Sequence, residues 1–303
     1  MQIFVAGATG VVGGRVVPAL VAAGHDVRAV GRTPEKRHRL EELGARAVEV
    51  DLFDAAAVRS AIGDAEVIIN VATAVPPAGI RMMLPWSWRE MDRVRRYVSA
   101  NLVDAALAGD HARRVIQESF APIYADGGDA WLDDSAEVRP ARYNRSVLEA
   151  EAQADRFTRA GRAGVVLRFA FMYGPDDPVT EQLLDGVRHG WFLLFGTPDA
   201  YGSWIAHDDA AAAVVAALDV PPGTYNVVED EPMRRRELAD GLARKLDVNP
   251  PRFLPGWATA LGGGIAATVA RSLRISNRKL RQASDWTPRH PTTLDGLQAI
   301  VRG

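Results

Sequence analysis

The chain has 303 residues, is 48% hydrophobic and 24% charged, and carries a formal charge of −2. That length holds one large domain or two unequal ones, and the apolar fraction with so small a net charge excludes disorder. Basic and acidic residues balance at 36 and 38 with no basic block, so no nucleic-acid partner is expected; the absence of cysteine removes disulfides, thiolate zinc sites and a cysteine nucleophile.

Gln2–Ala6 reads as a short apolar strand, Gly13–Ala23 as a helix ending at Gly24, and Asp26–Val30 as a second strand. Helix Pro34–Leu43, strand Ala47–Val50, helix Ala55–Ile62 and the wholly apolar strand Val67–Val71 follow. Then come a long helix over Glu90–Leu107, a fifth strand at Arg113–Gln117, a second long helix over Tyr143–Ala160 and a sixth strand at Val165–Phe169. This alternation with near-continuous apolar strands predicts an α/β fold, a doubly wound parallel sheet covered on both faces. After Pro175 the rhythm loosens into helices at Thr180–Arg188 and Ala206–Leu218 and short strands near Phe192–Phe195 and Thr224–Val227. The expected organisation is a dinucleotide-binding domain of residues 1–174 and 196–228, with a smaller, discontinuous C-terminal substrate lobe of residues 175–195 and 229–303. The first strand starts directly after Met1, which leaves no room for a signal peptide. The low-charge stretch Phe253–Ala270 is broken by Pro255 and Gly262-Gly263-Gly264, so no membrane contact and a cytoplasmic location are expected.

The first strand runs into Gly7-Ala8-Thr9-Gly10-Val11-Val12-Gly13 and then a helix. Glycines at 7, 10 and 13 allow a tight turn, close approach of a pyrophosphate and close helix–strand packing, and the helix N-terminus offers free N–H groups to the phosphates. Backbone contacts are expected from Gly7, Thr9, Gly10, Val11, Val12 and Gly13. An NAD site usually carries an acid at the end of the second strand. Here Gly31-Arg32-Thr33 stands there with Lys36 a turn later, a pair suited to a 2′-phosphate, so NADP(H) is expected over NAD(H). Asp51 and Leu52 border the adenine and Ala72 the ribose in this reading. No His/Asp/Glu spacing argues for a metal.

With these pieces the sequence resembles the short-chain dehydrogenase/reductase superfamily, in its extended or atypical epimerase/dehydratase-like branch. Further motifs carry the likeness: Asn101-Leu102-Val103-Asp104, Leu167-Arg168-Phe169, Tyr173-Gly174-Pro175, His207-Asp208-Asp209, Tyr225-Asn226-Val227 and Trp286-Thr287-Pro288. The resemblance implies an active tyrosine four residues before a lysine, and a hydroxyl residue at the end of the fifth strand. Tyr143 takes the tyrosine position, but Val147 stands where the lysine belongs. Counting back from Tyr124, the hydroxyl position falls on Phe120, with Ser119 one residue earlier, and the asparagine often found on the preceding helix maps to Arg95. Tyr143 and Ser119 are therefore the catalytic candidates, with Tyr143 and Phe169 also against the cofactor. The resemblance further implies a homodimer through the two long helices.

A free tyrosine titrates near pH 10, so without a lysine about 0.1% of it is ionised at pH 7, and its use as a base costs about 4 kcal/mol. As a proton donor it needs no ionisation. The expected activity is reduction by NADPH of a carbonyl or enone on an apolar small metabolite, with Tyr143 as donor. The alternatives are a redox-neutral epimerase, dehydratase, isomerase or cyclase, and a non-catalytic NADP-binding sensor. The loop Pro76–Trp88 carries Met82, Met83, Trp86 and Trp88, and the later chain adds Trp191 and Trp204. An apolar substrate pocket of Met82, Trp86, Trp88, Tyr124, Tyr173, Trp191 and Trp204 is expected.

Overall fold

The computed structural model describes residues 1–302. Its frame is a seven-stranded parallel sheet: β1 (Gln2–Ala6), β2 (Asp26–Val30), β3 (Arg46–Val48), β4 (Val67–Asn70), β5 (Arg114–Phe120), β6 (Ala163–Phe169) and β7 (Gly223–Val227). The spatial order is β7-β6-β5-β4-β1-β2-β3, with every neighbouring pair parallel. The order reverses between β1 and β4, which opens a crevice at the carboxyl ends of those strands. The expected doubly wound sheet is therefore present.

The strands are apolar on both faces because both are covered. Ile3, Val5, Val67, Ile69, Val165 and Leu167 pack under helices α1 (Gly13–Ala22) and, further along the chain, His207–Ala216. Phe4, Ile68 and Val115 face the other layer. Helix α2 (Pro34–Glu42) joins the α1 side through Leu40. On the other side α3 (Ala55–Ile62), α5 (Ser99–Ala108) and α6 (Val147–Arg159) supply Val58, Leu102 and Phe157 to the core, and the short α4 (Arg89–Arg93) precedes α5 in the chain.

Two corrections concern the long helices. The stretch expected as one helix over Glu90–Leu107 is interrupted by a π-helical turn, Val94–Val98, between α4 and α5. The helix expected from Tyr143 begins only at Val147. Tyr143 lies in a separate 3₁₀ turn, Arg142–Asn144, where the Asn144 amide donates to the Ala141 carbonyl at 3.1 Å. Pro140 precedes this turn, and Ser146 at the helix cap spends its hydroxyl on Asp92 at 2.6 Å. The third strand also starts one residue early and ends at Val48 rather than Val50, and the fifth runs on to Phe120.

A separate apolar core gathers Leu183, Leu184 and Val187 of α7 (Pro178–Arg188) with Leu238 and Leu242 of the helix Arg235–Leu246 and Leu297 of the helix Thr293–Arg302. The chain after residue 270 also feeds the main core through Leu273, Ile275, Leu280 and Trp286. Arg274–Ile275 pairs in parallel with Trp131–Leu132, a short strand pair that ties the end of the chain to its middle. No helix among the described residues is long and apolar enough to cross a membrane.

Candidate active site

The turn after β1 is built for close approach. Gly7 has φ +82°, and a Cβ there would meet the Val71 and Ala72 backbone at 2.5 Å. A Cβ on Gly13 would lie 2.1 Å from the Gly7 carbonyl oxygen, so the turn folds directly onto the start of α1. The Gly10 amide donates back to the Gly7 carbonyl at 3.0 Å. No described side chain caps α1 and its first turn holds no acid, which leaves its positive end for an anion. Gly10 and Val11 are exposed, and Thr9 is half-buried. A cleft of about 480 Å³ opens beside the turn, lined by Thr9, Gly10, Val11, Arg15 and Arg39. This cradle fits a dinucleotide pyrophosphate.

Arg32 is exposed and Lys36 half-exposed at the end of β2, and neither has a carboxylate partner among the described residues. The neighbouring Arg37 is already held by Glu49 at 2.8 Å. Asp51 accepts from the Phe53 amide, and the Leu52 carbonyl is fixed by the Asn101 side chain at 2.9 Å. The Ala72 amide donates to Asn70, whose own amide group is buried against Ser99 and Gln117. These bonds hold the strand ends that border the crevice. Phe169 closes β6 opposite Phe120 and is itself buried.

Tyr143 sits in a small apolar nest. It packs edge to face on Trp88, with ring centroids 4.8 Å apart, and Met91, Ile265, Met82, Met83 and Ala141 complete the cluster. Trp88 is held by its indole N–H donating to the Met82 carbonyl at 2.9 Å. Burial pushes the Tyr143 phenol above its ordinary value; the Thr268 hydroxyl and the charges of Arg95 and Arg271 act in the opposite sense. The phenol is therefore kept protonated.

The cluster brings together Tyr143, Trp88 and Met82 of the expected site. It does not include Ser119, which is fully buried and donates to Glu151 at 2.5 Å. Glu151 also takes two bonds of 2.8 Å from Arg168, and Arg168 donates to the Tyr124 hydroxyl, which donates to Asn226. Ser119 and Tyr124 thus belong to one buried polar network joining α6, β5, β6 and β7. Burial there pushes the Tyr124 phenol up to about 12. Tyr173 and Trp204 lie in the second core; Trp204 tilts against Phe171, which meets Phe120 edge on. Trp86 is 60% and Trp191 40% exposed, and neither is part of the buried cluster around Tyr143. A larger cleft of about 1040 Å³, between Trp131, Asp134 and Lys279, contains neither Tyr143 nor the glycine turn.

Glu118, Thr268 and Arg271 were not singled out by the sequence reading. Glu118 is the single acid of β5, which is a usable signal. Thr268 and Arg271 come from the far end of the chain, on and just after the helix Gly263–Ala270, and no spacing links them to Tyr143. That helix is fixed at its C-terminal end by the buried Arg235, which donates to the Val269, Ala270 and Arg271 carbonyls. No group of three or more His, Asp or Glu able to hold a metal occurs among the described residues.

The profile of the NAD dependent epimerase/dehydratase family matches residues 3–227, and the chain belongs to that family. It is 33% identical to a Streptomyces protein named 3-diazoavenalumate denitrifying reductase, over 98% of this chain and 99% of that one. It is 25% identical to the 2-alkyl-3-oxoalkanoate reductase of Shewanella oneidensis, over 89% of this chain and 73% of the relative. Among solved structures, the UDP-glucose 4-epimerase of Thermotoga maritima superposes with a TM-score of 0.77 over 100% of this chain and 98% of its own, at 19% identity. The last of these speaks to the fold.

Proposed function

We propose that this protein is an NADPH-dependent reductase of an apolar small molecule and that Tyr143 donates the proton. The observation that carries the reading is the state of Tyr143: a buried phenol, kept protonated, in a nest of methionine, tryptophan and isoleucine. At neutral pH such a group holds a proton that a reduced carbonyl oxygen can take, and it is not available as a base. The two relatives above are named reductases, which supports the direction.

When bound, NADPH supplies the hydride. The protein's residues do the rest. The glycine turn and the N-terminus of α1 hold the pyrophosphate, and Arg32 with Lys36 meets the 2′-phosphate. Trp88, Met82, Met83 and Ile265 exclude water and press an apolar substrate against Tyr143. The Tyr143 O–H then protonates the oxygen of the carbonyl as it is reduced.

The test is a balance of cofactor against product. The purified protein is given NADPH with phenanthrenequinone, an aryl ketone, an aryl enone and an arenediazonium salt, the last because one relative is named for a diazo compound. Stoichiometric NADPH oxidation with reduced product supports the reading. Conversion of a substrate with no net NADPH loss favours the redox-neutral alternative.

A further inference from the structure

Arg95 lies on the π-helical turn Val94–Val98 and is 4% exposed. Such turns take in an extra residue and shift the register of the side chains around them. Its guanidinium reaches Glu118 of β5 at 3.2 Å, and Glu118 is itself buried. The pair is incomplete. The Arg95 Nε and the Glu118 Oε2 are both buried and have no hydrogen-bond partner among the described residues. An ion pair taken out of water with free donors and acceptors gives little stability, and apolar side chains of the same size would serve the fold as well or better. Its presence asks for another reason.

The neighbour supplies one. Met91, in the cluster that surrounds Tyr143, lies four residues before Arg95 on the same helical run, and Arg95 is among the charges that act on Tyr143. When Tyr143 gives up its proton, a negative charge develops on a phenol surrounded by Trp88, Met91 and Ile265, where water is scarce and nearby charges act strongly. Four residues after Tyr143, at the start of α6, stands the buried Val147 and not a cation. The charges that act on Tyr143 are those of Arg95, which is paired with Glu118, and Arg271; Asp92 accepts from Ser146. Arg271 is partly exposed and donates to the Pro122, Tyr124 and Arg139 carbonyls, so solvent screens its charge more than that of the buried Arg95.

We propose that Arg95, anchored by Glu118, is a positioning residue for proton donation, carrying the positive charge that stabilises the phenolate left on Tyr143. In that step the Tyr143 O–H bond breaks and a new O–H bond forms on the substrate oxygen. The hydride of NADPH provides the two electrons, and the phenolate regains its proton from solvent. The inference rests on Tyr143 as donor.

The test compares Arg95→Lys, Arg95→Met and Glu118→Gln, each in the wild-type and Tyr143→Phe backgrounds, with NADPH and phenanthrenequinone. Arg95→Met is expected to lower kcat roughly tenfold to hundredfold, with the quinone KM changed less than about threefold, and Arg95→Lys to restore most of it. The alkaline limb of kcat should move up by about one pH unit in Arg95→Met and down in Glu118→Gln, since the second frees the cation of its counter-charge. Carbon-13 tyrosine NMR reads the same midpoint without turnover, from the signal missing in Tyr143→Phe. Opposite shifts from two neighbouring substitutions would not arise from loosened packing. An unchanged midpoint in both variants overturns the inference, as does a loss from Arg95→Met that persists undiminished in Tyr143→Phe. Should Arg95→Met not fold, the Glu118→Gln midpoint decides alone. Full activity of Tyr143→Phe by itself would instead remove the donor reading.

Discussion

Trp88 meets Tyr143 edge to face at 4.8 Å, with the two rings inclined at 63°. The contact joins the loop after β4 to the turn before α6, and it is what keeps the phenol dry. Trp88→Ala should open the nest. Stability should fall by about 3 kcal/mol in denaturant titrations, the usual cost of losing a buried aromatic, and the Tyr143 ionisation should move back toward its ordinary value.

Ser119 and Arg168 should affect the fold rather than turnover. Ser119→Ala removes one bond to a carboxylate that keeps both of its bonds from Arg168, a loss of about 1–2 kcal/mol with kcat unchanged. Arg168→Met leaves Glu151 buried without its counter-charge and should cost about 3–5 kcal/mol. Denaturant midpoints beside kcat check both; a large fall in kcat for Ser119→Ala would return it to the chemistry.

The sheet, the glycine turn and the approximate span of most elements were legible because strand hydrophobicity and glycine placement are local signals. What was not legible depends on contacts between distant segments. Tyr143 lies in a turn outside the helix, and at the helix start the Ser146 hydroxyl goes to Asp92, fifty-four residues earlier. Ser119 and Tyr124 look like site residues in a motif, yet Arg168 and Glu151 consume their hydroxyls. Two-residue strands such as Trp131–Leu132 have too little pattern to read, since Arg274–Ile275 creates them by pairing. Tryptophans in loops carry no periodicity, so Trp86 and Trp88 read alike although one is exposed and the other buried.

Glu229 should make stability depend on pH. Burial, reinforced by Asp209 and Asp295, raises its carboxyl from 4.5 to about 7, while Thr293 and Tyr173 partly offset this. The folded state therefore holds a proton that the unfolded state releases. The stability is fully present below about pH 4.5, falls as pH rises toward 7, and has lost at most about 3 kcal/mol above it. Glu229→Gln should flatten this profile and stabilise the protein near about pH 8. Denaturation midpoints across that range check it; a wild-type profile that rises between those values would contradict the sign.

Arg32 governs the choice of cofactor in this account. Arg32→Asp should weaken NADPH binding by about 1–3 kcal/mol and leave NADH binding nearly unchanged, because only the former carries a 2′-phosphate. Calorimetry with each cofactor measures this. Tighter binding of NADH than NADPH by the wild-type protein would reverse the assignment.

The central claim is that Tyr143 gives the proton. Tyr143→Phe removes one oxygen and leaves the packing on Trp88, Met91 and Ile265 in place. The measurement is kcat for NADPH-dependent reduction of phenanthrenequinone, wild type against Tyr143→Phe, with cofactor affinity recorded beside it. A positioned general acid contributes about two to four orders of magnitude, so kcat should fall by that amount with NADPH affinity unchanged. Undiminished turnover by the phenylalanine variant would contradict the account.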